Sequence, residues 1–371
     1  VDRINIAIIG GGVIGLSIAE RLSRSESDVY VFERNSNIGM ETSSRNSGVI
    51  HSGIYYPPGS LKATLSVKGR DMIYRLCEKR DIQCKKIGKL IVGSGENAVV
   101  QLERLLKNGE ANGVNDLSIK YRDEIKKIEP KVEADYAIYS PSSGIMEPYD
   151  LLTMFRSKAE RQGVLMALRT EITSLRFTGS DFEISGISSG SRFTVAANTV
   201  INAAGLYSDR IAWMAGIDID SAGYRLHYCK GDYFRVSGKP PIKSLVYPLP
   251  QEFSLGIHLS PDMAGSLRLG PNAYYVDRID YRIESDPREF IDGVRDFIPS
   301  VSGMDIHPDS SGIRPKLQGP YDGFRDFIIK DESSRGLYGL INLIGIESPG
   351  LTASPAIGDF VADMYFREIK G

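Results

Sequence analysis

A glycine cluster at the start of the chain constrains its fold most. Gly10-Gly11-Gly12-Val13-Ile14-Gly15 follows a short β-branched run, Ile4–Ile9, and precedes a stretch with helical spacing, Val13–Ser23, in which Ile14, Ile18 and Leu22 recur. Strand, glycine turn and helix in that order open a Rossmann-like βαβ unit. Gly10 permits the tight turn, Gly12 lets a pyrophosphate approach the backbone, and Gly15 lets the helix pack closely on the strand. The amides of Val13 and Ile14 start a helix whose N-terminus suits phosphate. Glu33 closes a second short strand, Asp28–Glu33, 18 residues after Gly15, where a carboxylate accepts hydrogen bonds from a ribose 2′-hydroxyl; Arg34 follows it.

Composition narrows the class. With 371 residues, 42% hydrophobic and 25% charged, the chain reads as a soluble globular protein with more than one domain or one elaborated domain. A net charge of −2 gives no basic surplus for nucleic acid. No apolar run approaches the roughly 20 residues of a spanning helix, although a peripheral membrane contact is compatible with the sequence. Cys77, Cys84 and Cys229 form no CxxC pair, which supports neither a disulfide framework nor a zinc site and favours a reducing, cytoplasmic compartment. The chain enters its first strand directly after Val-Asp-Arg, with no leader-like segment.

Further along, helical spacing returns in 61–79, 98–112, 123–129 and 148–163, and 89–93 reads as a strand. The runs 164–168, 171–177, 182–186 and 193–195 resemble a β-meander leading into a separate strand, 199–203. Residues 224–282 suggest an antiparallel sheet, 339–344 a late apolar strand, and 353–367 a closing helix. Nucleotide-binding signals at both ends predict an α/β fold, α+β overall. A Rossmann-like FAD-binding domain (1–80, 149–222 and 311–371) carries an inserted antiparallel-sheet cap (81–148 and 223–310) for the substrate.

The βαβ unit alone does not separate NAD from FAD. Three features favour FAD. The loop Thr42-Ser43-Ser44-Arg45-Asn46-Ser47-Gly48-Val49 carries hydroxyls and amides suited to a pyrophosphate and a ring system. The Ala203-Ala204-Gly205 strand exit lets backbone pass close to a cofactor. The turn Gly345-Ile346-Glu347-Ser348-Pro349-Gly350-Leu351-Thr352 offers N–H groups to negative charge on a reduced flavin. Ile172 and Gly312 complete the candidate cofactor contacts.

These residues also carry a resemblance. Thr42–Tyr56, TSSRNSGVIHSGIYY, resembles the signature of L-2-hydroxyglutarate dehydrogenases and oxidases, within the D-amino-acid-oxidase-like FAD superfamily. Lys230-Gly231-Asp232-Tyr233, Gly256-Ile257-His258-Leu259, Leu269-Gly270-Pro271-Asn272-Ala273 and Gly312-Ile313-Arg314 follow in family order. The resemblance implies flavin bound between a nucleotide domain and a sheet-based cap, with oxidation of a 2-hydroxy acid to the 2-oxo acid by hydride transfer to flavin N5. Glycerol-3-phosphate dehydrogenases and amino-acid oxidases share the arrangement. A flavin-binding electron-relay or assembly subunit is the non-enzymatic alternative. The chain departs from the family pattern at Arg45, Lys230 and Pro315-Lys316.

Oxidising an alcohol needs a base, and His51, which lies in the loop signature, is the candidate among four histidines. Arg314 is the anion clamp, because a guanidinium grips a carboxylate with two parallel hydrogen bonds. Tyr56, Lys230 and His258 are further substrate contacts; alternation sets His258 on the face opposite Ile257 and Leu259. The electron acceptor is left open between oxygen, a quinone and a partner flavoprotein.

Overall fold

The opening strand lies inside a parallel array, as its continuous apolar run requires. In the computed structural model, which describes residues 2–79, 81–238, 242–250 and 255–371, Asp2–Ile9 pairs in parallel with Val29–Phe32 on one side and with the long strand Ser191–Asn202 on the other. The chain divides into two compact units: residues 1–44, 148–228 and 314–371, and residues 45–147 and 229–313.

The first unit is built on a mixed sheet of eight strands. Ser191–Asn202 is one strand of 12 residues, where the sequence suggested a meander strand and a separate strand after it. Its first half pairs antiparallel with Phe182–Ser188, and its second half pairs in parallel with Asp2–Ile9 and Leu340–Ile344. That pairing carries the strand through Ala196-Ala197-Asn198, residues of low strand propensity. Leu165–Ala167 is likewise no part of the meander. It lies at the far edge, parallel to Val29–Phe32, where the helix Pro148–Arg161 delivers it.

The helix Val13–Leu22 packs against the closing helix, which runs Gly350–Met364 and so starts three residues before the expected position. Their approach is close: Ser17 Oγ donates to Ser354 O at 2.8 Å, and a Cβ on Gly358 would lie 2.4 Å from that hydroxyl. Pro355 leaves Leu351 O without its helical donor, and Ser354 Oγ supplies one at 2.9 Å.

A buried polar chain fixes the strand ends above the glycine turn. Glu332, fully buried, accepts from Tyr224 Oη at 2.6 Å and Asn342 Nδ2 at 2.9 Å. Asn342 Oδ1 accepts from Asn202 Nδ2 at 2.8 Å, and Asn202 Oδ1 accepts from Ala204 N. Replacing Glu332 by Ala strands these donors and costs ~2–4 kcal/mol. A thermal melt should show a midpoint lower by roughly 3–5 °C. A midpoint within a degree of wild type would mean the chain is not holding these strands.

The second unit contains a nine-stranded sheet that includes Lys89–Gly93, Leu245–Pro248, His227–Val236 and Ile306–Lys316. The antiparallel pattern expected for 224–282 holds for His227–Val236 with Leu267–Leu269, Leu267–Leu269 with Leu259–Pro261, and Leu259–Pro261 with Leu245–Pro248, but Leu245–Pro248 also pairs in parallel with Lys89–Gly93. Residues 239–241 and 251–254 of that stretch lie outside the described residues. Residues 45–80, expected in the nucleotide domain, cluster with this unit. The reason is long-range pairing: Val49–Ile50 joins Gly144–Met146, while Arg70 donates to Ser52 O and Tyr74 Oη to Ser142 O.

The cysteine reading needs correction. Cys77, at the end of the helix Leu61–Glu78, is joined in a disulfide to Cys84, which opens the strand Cys84–Lys86; Cys229 is free and buried. The two Cα atoms lie 5.9 Å apart, within reach of a bridge. The sequence argument for a reducing compartment loses its basis. No helix among the described residues is long and apolar enough to cross a membrane.

Candidate active site

The glycine turn of the first unit is built to exclude side chains. Gly10 has φ +114°, and a Cβ there would lie 2.4 Å from Ala203 O; one on Gly15 would lie 2.0 Å from Gly10 O. Gly12 caps the helix, and a Cβ on it would meet Ser43 Oγ at 3.0 Å. Ser43 Oγ accepts from Val13 N at 3.0 Å, with Ile14 next in the first turn. The loop expected to line the cofactor therefore does reach the turn.

Glu33 follows the second strand and is buried, accepting from Gly11 N at 2.8 Å and Asn35 N at 2.7 Å. Each carboxylate oxygen keeps a second lone pair for another donor. Arg34 pairs with Glu41, and its guanidinium lies 3.7 Å from the centre of the Tyr207 ring. Ala203 N donates to Ile9 O at 2.9 Å, and Gly205, with φ +54°, starts the short 3₁₀ turn Gly205–Tyr207. Ile172 is buried in Thr170–Phe177, beside a register shift.

The late turn belongs to the same unit. Gly345 has φ +72°, and a Cβ there would meet Leu317 at 2.6 Å. Glu347, buried, is 3.5 Å from Lys316 Nζ, and its carbonyl accepts from Gly350 N. Ser348 and Pro349 lead into the helix, and Leu351 and Thr352 form its first turn, not a loop before it. Arg314 is half-buried on Ile306–Lys316, directly after Gly312-Ile313, which close the second unit.

The second unit holds the histidine side. Among the first loop's residues, Thr42 and Ser47 are half-buried and Ser44 is exposed. Arg45 stacks its guanidinium on the Tyr281 ring at 3.9 Å, and a Cβ on Gly312 would lie 2.3 Å from Arg45 O. Asn46 Oδ1 accepts from Gly48 N at 2.9 Å, and Gly48 O accepts from Met146 N, fixing the entry to Val49–Ile50. His51 follows that strand. Burial pushes its pKa well below the ordinary histidine value, and the charges of Lys89 and His258 push it further. The imidazole is therefore neutral at pH 7, the form a base requires.

His258 precedes the strand Leu259–Pro261 and is buried. The alternation was sound, because Ile257 and Leu259 pack into the opposite core. His258 Nδ1 donates to Gly256 O at 2.8 Å. Its ring stacks on Tyr247, with centroids 3.7 Å apart. Tyr56 is anchored through its carbonyl, which accepts from Asn108 and Asn112. Lys230 is buried, and its ammonium donates to Arg282 O.

The structure thus gathers His51 and His258 in one environment, together with Lys89, Tyr55 and Tyr247, which the sequence reading passed over. A signal existed for Lys89. In the run KLIVG it shares the parity of Ile91, yet a lysine opening a strand reads as an exposed end.

Residues 5–364 match the family model described as DAO, FAD dependent oxidoreductase. The chain belongs to this family. The FAD-dependent oxidoreductase is 34% identical to the mitochondrial L-2-hydroxyglutarate dehydrogenase of Arabidopsis thaliana, covering 99% of this chain and 84% of the relative. It is 29% identical to a glycerol 3-phosphate dehydrogenase of Caloramator mitchellensis, covering 97% and 73%. Among solved structures it resembles the dithionite-reduced L-alpha-glycerophosphate oxidase of Mycoplasma pneumoniae with FAD bound, with a TM-score of 0.87, 27% identity, and coverage of 100% and 96%. FAD is the family's cofactor, and the glycine turn that a Cβ would fill, together with buried Glu33, fits its dinucleotide part.

Proposed function

We propose that this FAD-dependent oxidoreductase oxidises L-2-hydroxyglutarate, or a close 2-hydroxy acid, to the 2-oxo acid. The observation that carries the reading is His51, held neutral in a buried setting within the loop signature. Oxidation of a secondary alcohol removes a hydride from carbon and a proton from oxygen, leaving a carbonyl. FAD, when bound, supplies the two-electron acceptor for the hydride. His51 accepts the hydroxyl proton. Arg314 holds the adjacent carboxylate with two parallel hydrogen bonds, which fixes which C–H faces the acceptor. Gly10, Gly12, Gly15, Glu33 and Ser43 hold the dinucleotide, and the Gly345–Thr352 turn serves the ring end.

The test is anaerobic mixing of the purified holoenzyme with L-2-hydroxyglutarate, glycerol 3-phosphate and a set of amino acids, following the visible flavin band. L-2-hydroxyglutarate should bleach it fastest. Faster bleaching by glycerol 3-phosphate or an amino acid sinks this substrate class, and no bleaching by any of them favours an electron-relay or assembly role. Reoxidation of the bleached enzyme by oxygen, a quinone or a flavoprotein identifies the acceptor.

A further inference from the structure

The second unit's sheet buries a lysine on an otherwise apolar face. Lys89 pairs with Leu245, and Ile91 with Tyr247, so alternation sets these four on one side of the ladder. Ile91, Leu245 and Tyr247 join one hydrophobic core there, while Leu90, Val92, Val246 and Leu259 face the other. Lys89 is 0% exposed, and its Nζ makes no hydrogen bond among the described residues. It lies 3.8 Å from the centre of the Tyr247 ring and 5.4 Å from that of Tyr55. Tyr55 Oη is a second enclosed polar atom with no hydrogen-bond partner among the described residues.

Aromatic faces compensate a buried ammonium only in part. An ammonium and a phenol together present up to four donor hydrogens, and an acceptor-only carboxylate matches them. Burial brings the lysine down to a pKa of about 7, so an arriving anion also restores its proton. Lys230, the cation expected from sequence to take a distal carboxylate, already donates to Arg282 O. Lys89 is instead close enough to His51 for its charge to act on the imidazole.

We propose that Lys89 Nζ and Tyr55 Oη form an anion subsite beside His51 that takes a second carboxylate of the substrate. The enzyme then selects dianionic over monoanionic 2-hydroxy acids. This deepens the 2-hydroxy-acid reading and rests on it.

The experiment is equilibrium binding of redox-inert glutarate, butyrate and inorganic phosphate to the holoenzyme, read from the visible spectrum of its flavin. Wild type should bind glutarate far more tightly than butyrate, with phosphate weak. Lys89→Met should weaken glutarate by ~10²–10³-fold and leave butyrate within about threefold, which also shows the site intact. Tyr55→Phe should weaken glutarate by roughly 10-fold, as loss of one hydrogen bond to a charged group does.

Equal weakening of glutarate and butyrate in Lys89→Met overturns the subsite and leaves Lys89 as an electrostatic neighbour of His51. Unchanged glutarate affinity overturns it as well. If Lys89→Met does not fold, Tyr55→Phe decides: an unchanged glutarate-to-butyrate ratio overturns the proposal. A wild type that prefers glutarate but is bleached by no 2-hydroxy acid would sink the reaction assignment and leave the subsite standing.

Discussion

His51→Gln retains its FAD and is reduced by L-2-hydroxyglutarate ~10²–10⁴-fold more slowly than wild type, the usual worth of a positioned general base. Glutamine keeps much of the side chain's size and hydrogen-bonding capacity, so the loss isolates the proton acceptor. His51 follows Val49–Ile50, a strand locked to Gly144–Met146, and is not one of the glycine-turn residues assigned to the dinucleotide. Flavin content should therefore stay at the wild-type level. Rapid anaerobic mixing measures the step directly, and a reductive rate within a few-fold of wild type would sink the base assignment.

The wild-type pH profile carries the same signature. Because the pKa of His51 is depressed, the imidazole stays neutral as pH falls through 6.5 and protonates only well below it. The acid limb of kcat/KM should lie below 6.5 and vanish in His51→Gln. Lys89, ringed by His51, Tyr55 and Tyr247, loses its charge as pH rises through about 7. For a dicarboxylate, kcat/KM should then decline on the alkaline side, a decline that Lys89→Met lacks.

Arg314→Met lowers kcat/KM for L-2-hydroxyglutarate by ~10²–10³-fold, the cost of leaving a carboxylate without its paired cation. Arg314→Lys restores the charge but not the planar fork, and recovers only part of the loss. Both kcat and KM should change. The fork sets orientation as well as affinity, and misaligning the reacting C–H reduces the rate even at saturation. Steady-state kinetics across the two variants gives the split. A rise in KM alone in Arg314→Met, reversed in Arg314→Lys, would mean Arg314 supplies charge without alignment.

Much of this was legible before the fold because it is local. The glycine turn, its strand and helix, and Glu33 form within about 30 residues, and backbone sterics dictate glycine wherever a Cβ would meet Ala203 O or Gly10 O. His51 was legible from the loop string around it. The alternation about His258 correctly set it opposite Ile257 and Leu259.

What escaped depends on partners far along the chain. Nothing near Val49 announces Ile145, the pairing partner that draws residues 45–80 into the second unit. Ala196-Ala197-Asn198 reads as a break until Asp2–Ile9 and Phe182–Ser188 pair across it. Cys77 and Cys84 show no motif; the placing of the helix Leu61–Glu78 beside the strand Cys84–Lys86 brings them together.

The sequence by itself determined the dinucleotide fold, its FAD family and the candidate base His51, since each rests on short strings whose conformation is set by near neighbours. Only the tertiary structure decided which cation stands beside that base. Lys230 and Lys89 are both strand lysines, but burial and pairing give one a backbone acceptor at Arg282 and leave the other between Tyr247 and Tyr55. Desolvation and hydrogen-bond supply are properties of the packed interior, and no local pattern encodes them.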